Sequence, residues 1–356
     1  MTVAVGVDIG GSAVRAAVLD TAKGRRILRR FADIPLPRGA VVAGEIVDES
    51  AVAEALSALW KRNKLPSKGI IVGTASQRLV VRRVDVPQME PDELRDALPY
   101  QVQDSIPIAV EDAILDYVPL EQFTTPDGEP MSSILVVAVH RDTVDTLLRV
   151  IEPTGVTPAA IDLQAFALVR ATFGIEPAID NPLQAIIDIG ASLTQVIVAR
   201  GGVAEFVRLL PIGGDEFTEV LMDRLGWSRT TAEERKRDIG VVPEGPPELA
   251  GDDDDNKALG ALTAQADVLI DEIVGSIRFH VRQVDGGALS GAVVAGNGAR
   301  LPHLANRLGA ALGVSVRPAR ILDHIDLGRV QLTEEELLDA QPVLPAAVGL
   351  ALWGMT

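Results

Sequence analysis

The sequence predicts an α/β protein of two related halves facing each other across a cleft, with a compact α+β module inserted in the first half. Three observations carry this. The segment Val5–Val18 (VGVDIGGSAVRAAV) matches Ala185–Val198 (AIIDIGASLTQVIV) at a constant offset of 180 residues, with Asp, Ile, Gly and Ser coinciding and the apolar positions in phase. A fixed-offset match marks a duplicated unit. Around each copy, short runs rich in Val, Ile and Ala alternate with helical stripes, the pattern of strands flanked by helices. Finally, residues 78–155 have no counterpart in the second half and read as their own β-α-β-β-α series.

Composition agrees. The chain has 356 residues, enough for two domains or more, and is 47% hydrophobic but only 3% aromatic, so its core is built from Val, Ile, Leu and Ala. The net charge of −17 argues against nucleic-acid binding, which needs clustered cations. The only dense basic run, Arg25, Arg26, Arg29 and Arg30, reads as a solvated hairpin end. The absence of cysteine excludes disulfides, thiolate nucleophiles and Cys-based zinc sites. His140, His280, His303 and His324 lack the spacing of metal ligands. The opening residues carry no basic signal region, and no apolar run reaches the roughly 18 residues of a membrane span. The expectation is a cytoplasmic protein, without direct membrane insertion, that docks on a membrane partner.

In chain order, residues 3–20 read as strand, Gly10-Gly11 turn, strand, with a third strand near Arg29–Pro35. A helix begins at Asp48 or Ser50, its stripe being Val52, Ala55, Leu56, Leu59 and Trp60. Lys68–Thr74 is a buried strand. In the insert, a strand ends at Pro87, Pro91 opens a helix from its first turn, and FTTPDGEP is a turn before the strand Ser132–His140. A helix with Val144, Leu147, Leu148 and Ile151 on one side follows. Residues 183–212 repeat the opening theme, and a helix around Ala266–Val284 carries Leu269, Ile273, Ile277, Val281 and Val284. The acidic stretch 243–257, PEGPPELAGDDDDNK, reads as a mobile surface loop; four adjacent aspartates repel and stay solvated more readily than they share a cation.

Each Asp-Ile-Gly turn has a defined chemistry. Glycine lets the backbone approach a ligand closely, and successive turn amides make a nest for anions. Ser12, Ser192 and Thr194 add hydroxyl donors. Asp8 and Asp188, at strand ends, are placed to hold Mg²⁺ through its water shell. A single such turn is no more than a tight β-turn; two, duplicated and facing, make a polyphosphate clamp. A third glycine turn, Gly296-Asn297-Gly298, follows a strand and would let a flat base or ribose lie on the backbone.

At these residues the chain resembles the actin, chaperone-ATPase and sugar-kinase superfamily. DIGGSAVRAAV is similar to its first phosphate motif, IIDIGASLTQVIV to its second and VVAGNGA to its adenosine motif. Leu163–Ala167 and Pro345–Ala351 are similar to its two connecting helices. Within it the chain resembles the PilM family of type IV pilus assembly, over nearly its whole length. That resemblance rests on Pro37 and Gly39 with Gly44-Glu45-Ile46, Val86-Pro87 with Glu93-Leu94, Gln103 with Ile106-Pro107, Gly155–Pro158 with Asp162, Phe206-Val207-Arg208 with Gly213-Gly214, and Ala232–Lys236.

The resemblance implies two actin-like (ribonuclease H-like) domains with a nucleotide cleft and an inserted α+β subdomain 1C shared with the cell-division protein FtsA. Its divisions fall at 1–77, 156–182 and 336–356 for subdomain 1A, 78–155 for 1C, 183–213 and 288–335 for 2A, and 214–287 for 2B. It implies ATP with Mg²⁺ as ligand. The binding set is Asp8, Gly10, Gly11, Ser12, Arg15, Asp188, Gly190, Ala191, Ser192, Thr194, Gly213, Gly214, Glu233, Lys236, Gly296, Asn297 and Gly298, with Glu233 and Lys236 approaching ribose and base. Gln164 stands where relatives place a polar group near an attacking water; a buried, hydrogen-bonded helix residue is the other reading. ATP binding with slow turnover at most is expected. Arg15 stands where many relatives have Lys, and Asn297 where they have Gly. The implied partner is the cytoplasmic N-terminal peptide of a PilN-like membrane protein, held in a groove between 1A and 1C, with pilus motor ATPases as further partners. Two other roles share the superfamily. A small-molecule kinase would need a catalytic base, for which Asp180-Asn181 reads only as a linker. An FtsA-like division scaffold would carry an amphipathic anchor, which no segment of this sequence supplies.

Overall fold

The structure, a computed structural model, describes residues 3–22, 24–175, 182–246, 253–283, 287–328, 330 and 332–355. The first half opens with β1 (Val3–Ile9), β2 (Ala13–Ala22), β3 (Arg25–Pro35), the short pair β4 (Val41–Val42) and β5 (Glu45–Ile46), α1 (Glu49–Asn63) and β6 (Ile70–Thr74). The insert follows as β7 (Leu79–Pro87), α2 (Pro91–Val102), β8 (Ala113–Thr124), β9 (Pro130–His140) and α3 (Arg141–Ile151). The chain returns through β10 (Ala160–Leu163) and α4 (Gln164–Phe173). The second half holds β11 (Gln184–Ile189), β12 (Thr194–Arg200), β13 (Val203–Leu210), α5 (Gly214–Leu225), α6 (Arg229–Ile239), α7 (Asp254–Gln283), β14 (Gly291–Ala295), α8 (Leu304–Leu312), β15 (Val316–Pro318), β16 (Asp326–Leu327), α9 (Glu334–Ala340) and α10 (Leu344–Trp353), of which β16 and α10 return to the first half.

Two sheets organise the molecule, β10-β6-β1-β2-β3-β16 and β13-β12-β11-β14-β15. They share one plan. β1 is antiparallel to β2 and parallel to β6, as β11 is to β12 and β14. Asp8 pairs across the hairpin with Arg15, and Asp188 with Gln195, so the sequence offset is also a register. Both central strands are buried on both faces, which explains their unbroken apolar runs.

Local chemistry sets the elements. The Asp48 carboxylate caps α1 by accepting from the Ala51 amide at 3.0 Å, relieving an orphan donor. Val52, Ala55, Leu56 and Leu59 pack onto the sheet. β3 begins already at Arg25, before the expected Arg29, because Leu28, Phe31 and Ala32 bury beside the arginines. Arg25 and Arg26 thus sit at the end of the β2–β3 hairpin, as expected, while Arg29 and Arg30 lie further along the strand. Helix α7 also starts earlier than its apolar stripe. Asp253 accepts from the Asn256 amide, and Asp254 and Asp255 form the first turn, where carboxylates favour the helix dipole. The acidic run expected to be a mobile loop thus ends as a helix start; 247–252, like Asp180-Asn181 and Val284, lie outside the described residues.

The insert folds as a three-stranded antiparallel sheet, β7-β9-β8. Helix α2 covers one face, with Leu94, Leu98 and Val102 on Val86, Ile134 and Val136. The other face turns Leu135, Val137 and Val139 toward α4 and the second half. Helix α3 leaves the module: Leu147, Val150 and Ile151 join the core beside α1. Leu148, expected in that apolar stripe, stays 42% exposed.

Helices α4 and α10 pack between the two large sheets, and they meet backbone to backbone. A Cβ at Gly349 would lie 1.8 Å from the Ala167 carbonyl oxygen, so only glycine permits this crossing. Among the described residues no helix is long and apolar enough to cross a membrane.

Candidate nucleotide cleft

The two hairpin tips converge where the sheets face each other. Gly10 N–H donates to Ala13 O at 3.0 Å and Gly190 N–H to Leu193 O at 2.9 Å, folding equivalent turns. The amides of Gly11, Ser12, Ala191 and Ser192 have no acceptor among the described residues, which is what an anion nest requires. Asp8, Gly10, Gly11, Ser12, Arg15, Gln164, Asp188, Gly190, Ala191, Ser192, Gly296 and Asn297 line one cleft. A second compartment shares Ser12, Gly190, Ala191 and Asn297 with it and adds Gly214, Glu233, Lys236, Gly298 and Arg300. The first offers donors suited to a polyphosphate, the second polar groups suited to a nucleoside.

A chain of buried amides and carboxylates crosses the floor. Gln164, 7% exposed at the start of α4, donates from Nε2 to Asp8 Oδ1 at 2.7 Å. Gln195 Nε2 donates to Gln164 Oε1 at 3.1 Å and to Asp188 Oδ2 at 3.2 Å. Arg15 donates to Asp8 at 3.4 Å and to the Ser12 hydroxyl at 3.2 Å. Burial pushes the Asp8 carboxyl up against the opposing pull of Arg15. Burial and then repulsion from Asp8 push Asp188 up to about 7, although Gln195 and Arg15 oppose it. Two buried carboxylates, both pushed up by burial and one further by its neighbour's charge, suit a divalent cation between them. Gln195 Oε1 is buried with no hydrogen-bond partner among the described residues and can accept from a metal-bound water. No cluster of three or more acidic or His ligands exists among the described residues, so the donor set fits Mg²⁺ held through water and not an all-protein cage.

Helix α5 backs the second hairpin, with Gly214 N–H donating to Gly190 O at 2.9 Å and Asp215 N–H to Ala191 O at 2.8 Å. On the nucleoside side, Lys236 Nζ donates to Gly214 O, to Thr218 Oγ1 and to Glu233. Burial raises the Glu233 carboxyl, but the Thr218 hydroxyl and Lys236 outweigh it and hold it below its ordinary range. Glu233 is therefore an ionised acceptor at the pocket wall. Asn297 opens a short 3-10 turn and is not among the residues of positive φ; the left-handed position is Gly296, at φ 82°, so Asn stands in place of Gly without strain.

Two expected contacts fall elsewhere. Thr194 is fully buried and its hydroxyl donates to Ile212 O at 2.7 Å, so it holds the β12–α5 approach together. The Gly213 amide donates to the Glu216 carboxylate at 2.8 Å, and a Cβ there would meet Ala191 O at 2.5 Å; Gly213 lets α5 approach the hairpin. Residues missed in the sequence complete the site. Gln195 is the duplicate of Arg15, a correspondence legible in the aligned copies. Arg38 reaches across from the first half to Asp215 at 3.3 Å and Glu219 at 2.7 Å, and the Ala43 amide donates to Ser192 Oγ at 3.0 Å. Nothing in sequence pairs these.

A second cavity lies between the insert and β10. Ile114, Val118, Val137, Val139, Leu148, Pro158, Ile161 and Phe166 line an apolar groove, to which Asp116 and Asp162 add two carboxylates. β8 and β10 are each the last strand of their sheets, so both present open edges here. Asp162 is partly buried and pairs with Arg170, which also donates to Gly349 O at 3.0 Å.

The family model for type IV pilus assembly protein PilM matches residues 6–355. The chain belongs to the PilM family. Among solved structures, a PilM-PilN type IV pilus biogenesis complex superposes with a TM-score of 0.84 at 23% identity, covering 99% of this chain and 98% of that one. The ethanolamine utilization protein EutJ from Carboxydothermus hydrogenoformans superposes at 0.53 with 15% identity, over 99% of this chain and 90% of its own. At these identities the likenesses establish the actin-like fold. The PilM assignment rests on the family match.

Proposed function

We propose that this PilM-family chain is an ATP-binding adaptor of type IV pilus assembly. It takes ATP with Mg²⁺ in the cleft and the extended cytoplasmic tail of a PilN-like membrane protein in the groove between β8 and β10. The observation that carries this reading is the segment Ala160–Phe166. Its Ile161, Asp162 and Phe166 line the groove, while Gln164 holds Asp8 in the cleft. One short, rigid piece of chain is thus common to both sites.

Open strand edges flanking an apolar floor suit an extended peptide, with backbone pairing for affinity and side-chain pockets for selectivity. ATP alters the groove only to the extent that it binds one arrangement of the two halves better than another. The subdomain divisions given above are the natural units of that movement. The role is that of a nucleotide-responsive adaptor at the membrane's inner face, and hydrolysis is slow because Gln164 is engaged at both ends of its amide.

Titration calorimetry tests both halves of the proposal. ATP with Mg²⁺ binds the wild-type protein, and a peptide of the partner's cytoplasmic N-terminus binds in a second titration. Absence of nucleotide binding removes the cleft assignment; absence of peptide binding with and without ATP removes the adaptor.

A further inference from the structure

A basic face lies at the end of the first half farthest from the cleft. Arg25, Arg26, Arg29 and Arg30 open β3. Lys61, Arg62, Lys64 and Lys68 end α1 and lead toward β6. From Ala55 to Val84 the chain contains no carboxylate at all. These two groups are brought together by the fold: Arg30 donates to the carbonyls of Asn63 and Lys64 at the end of α1.

Register places them at one end of the sheet. Asp20 pairs with Val3 on one side and Ile27 on the other, and Val5 N–H donates to Gly69 O. The hairpin tip at Gly10–Ser12 is at the opposite end of β1. Arg29 pairs with Asp20 at 2.7 Å and Arg25 with Asp326 at 3.2 Å. Lys61, Arg62 and Lys68 are exposed and form no ion pair among the described residues. Trp353, 41% exposed, ends α10 at the same end, where Gly354 packs on Ala4 and Ile71.

We infer that this face docks on an anionic bilayer surface. The chain carries −17 overall, so with these cations set apart the remainder is more acidic still and is repelled by an anionic leaflet. Attraction favours the orientation that turns this face to the leaflet. In that orientation the start of β10, hydrogen-bonded at Ala159 to Ile70, lies on the membrane side of the sheet, and the cleft faces away. A polybasic cluster gains about fivefold in partitioning per cation near such a surface, and an interfacial Trp adds an apolar contact. The docking does not depend on what fills the groove.

The test is co-sedimentation of the full chain with vesicles of phosphatidylcholine alone or with phosphatidylglycerol, at low and high salt. Binding to the anionic vesicles at low salt, lost at high salt and absent with phosphatidylcholine alone, is expected. The triple variant Lys61→Gln, Arg62→Gln, Lys68→Gln lowers it by roughly 100-fold while its Tm and nucleotide affinity stay at wild-type values. No sedimentation with anionic vesicles, an unchanged triple variant, or tighter binding to duplex DNA than to vesicles in the same buffer overturns the inference.

Discussion

The side-chain amide of Gln195 donates to both Gln164 and Asp188, at 3.1 and 3.2 Å. A residue of the second half thereby ties its own hairpin carboxylate to the helix that holds Asp8 of the first half. The two Asp-Ile-Gly turns are thus coupled through two buried glutamines as well as by facing each other.

That coupling is measurable. Gln164→Ala and Gln195→Ala are each expected to weaken ATP affinity by about tenfold, as loss of a buried hydrogen bond of roughly 1–2 kcal/mol implies. The double variant falls short of the sum of the singles, because contacting residues are non-additive. A calorimetric double-mutant cycle checks this; strict additivity would show that the bridge carries no coupling.

Asp188 yields a pH signature. Its carboxyl sits at about 7 in the folded protein against 3.8 as its ordinary value, so folding favours the protonated form. The associated stability is fully present below about pH 3.8 and is lost as pH rises through about 7, by at most about 4 kcal/mol at roughly 1.4 kcal/mol per unit. Urea titrations of the Mg²⁺-free protein from pH 5 to 8 are expected to show this loss. Asp188→Asn flattens it, and an Asn variant with the wild-type slope would assign the effect to other groups.

Glu233 and Lys236 line the second compartment. Glu233→Gln is expected to weaken ATP binding several-fold while leaving inorganic pyrophosphate binding unchanged, since Glu233 lines only the second compartment. Equal losses for both ligands would place the effect in the hairpins.

The groove predicts a separation of functions. Leu148→Glu puts a charge on an apolar wall at a residue already 42% exposed, so Tm changes little. Tail-peptide binding falls by at least about tenfold, from the lost burial of a side chain worth about 1.5–3 kcal/mol. Unaltered peptide affinity would move the partner to another surface.

Gly349 carries the sharpest stability prediction. A Cβ there collides with the Ala167 carbonyl, forcing α4 and α10 apart. Gly349→Ala is expected to cost about 3 kcal/mol or more, read as a lower urea midpoint, and to weaken nucleotide binding because α4 carries Gln164.

Much of this was legible along the chain. The 180-residue offset, the glycine turns and the apolar periodicities are local or repeated patterns, and local geometry makes them readable: a tight turn needs glycine, and a buried strand needs an apolar run. They determined the α/β class, the paired hairpins, the insert's element order and most of the cleft residues. Tertiary structure alone decided the rest, because it turns on which distant groups meet. Thr194 faces Ile212 instead of a ligand, Arg38 closes on Asp215 and Glu219, and α3 deserts the insert to pack on α1. Gln195 joins Asp188 to Gln164 through a hydrogen bond that links residues 31 apart in the chain. The Asp-Ile-Gly copies named two equivalent glycine turns; only packing made them the two ends of one buried polar bridge.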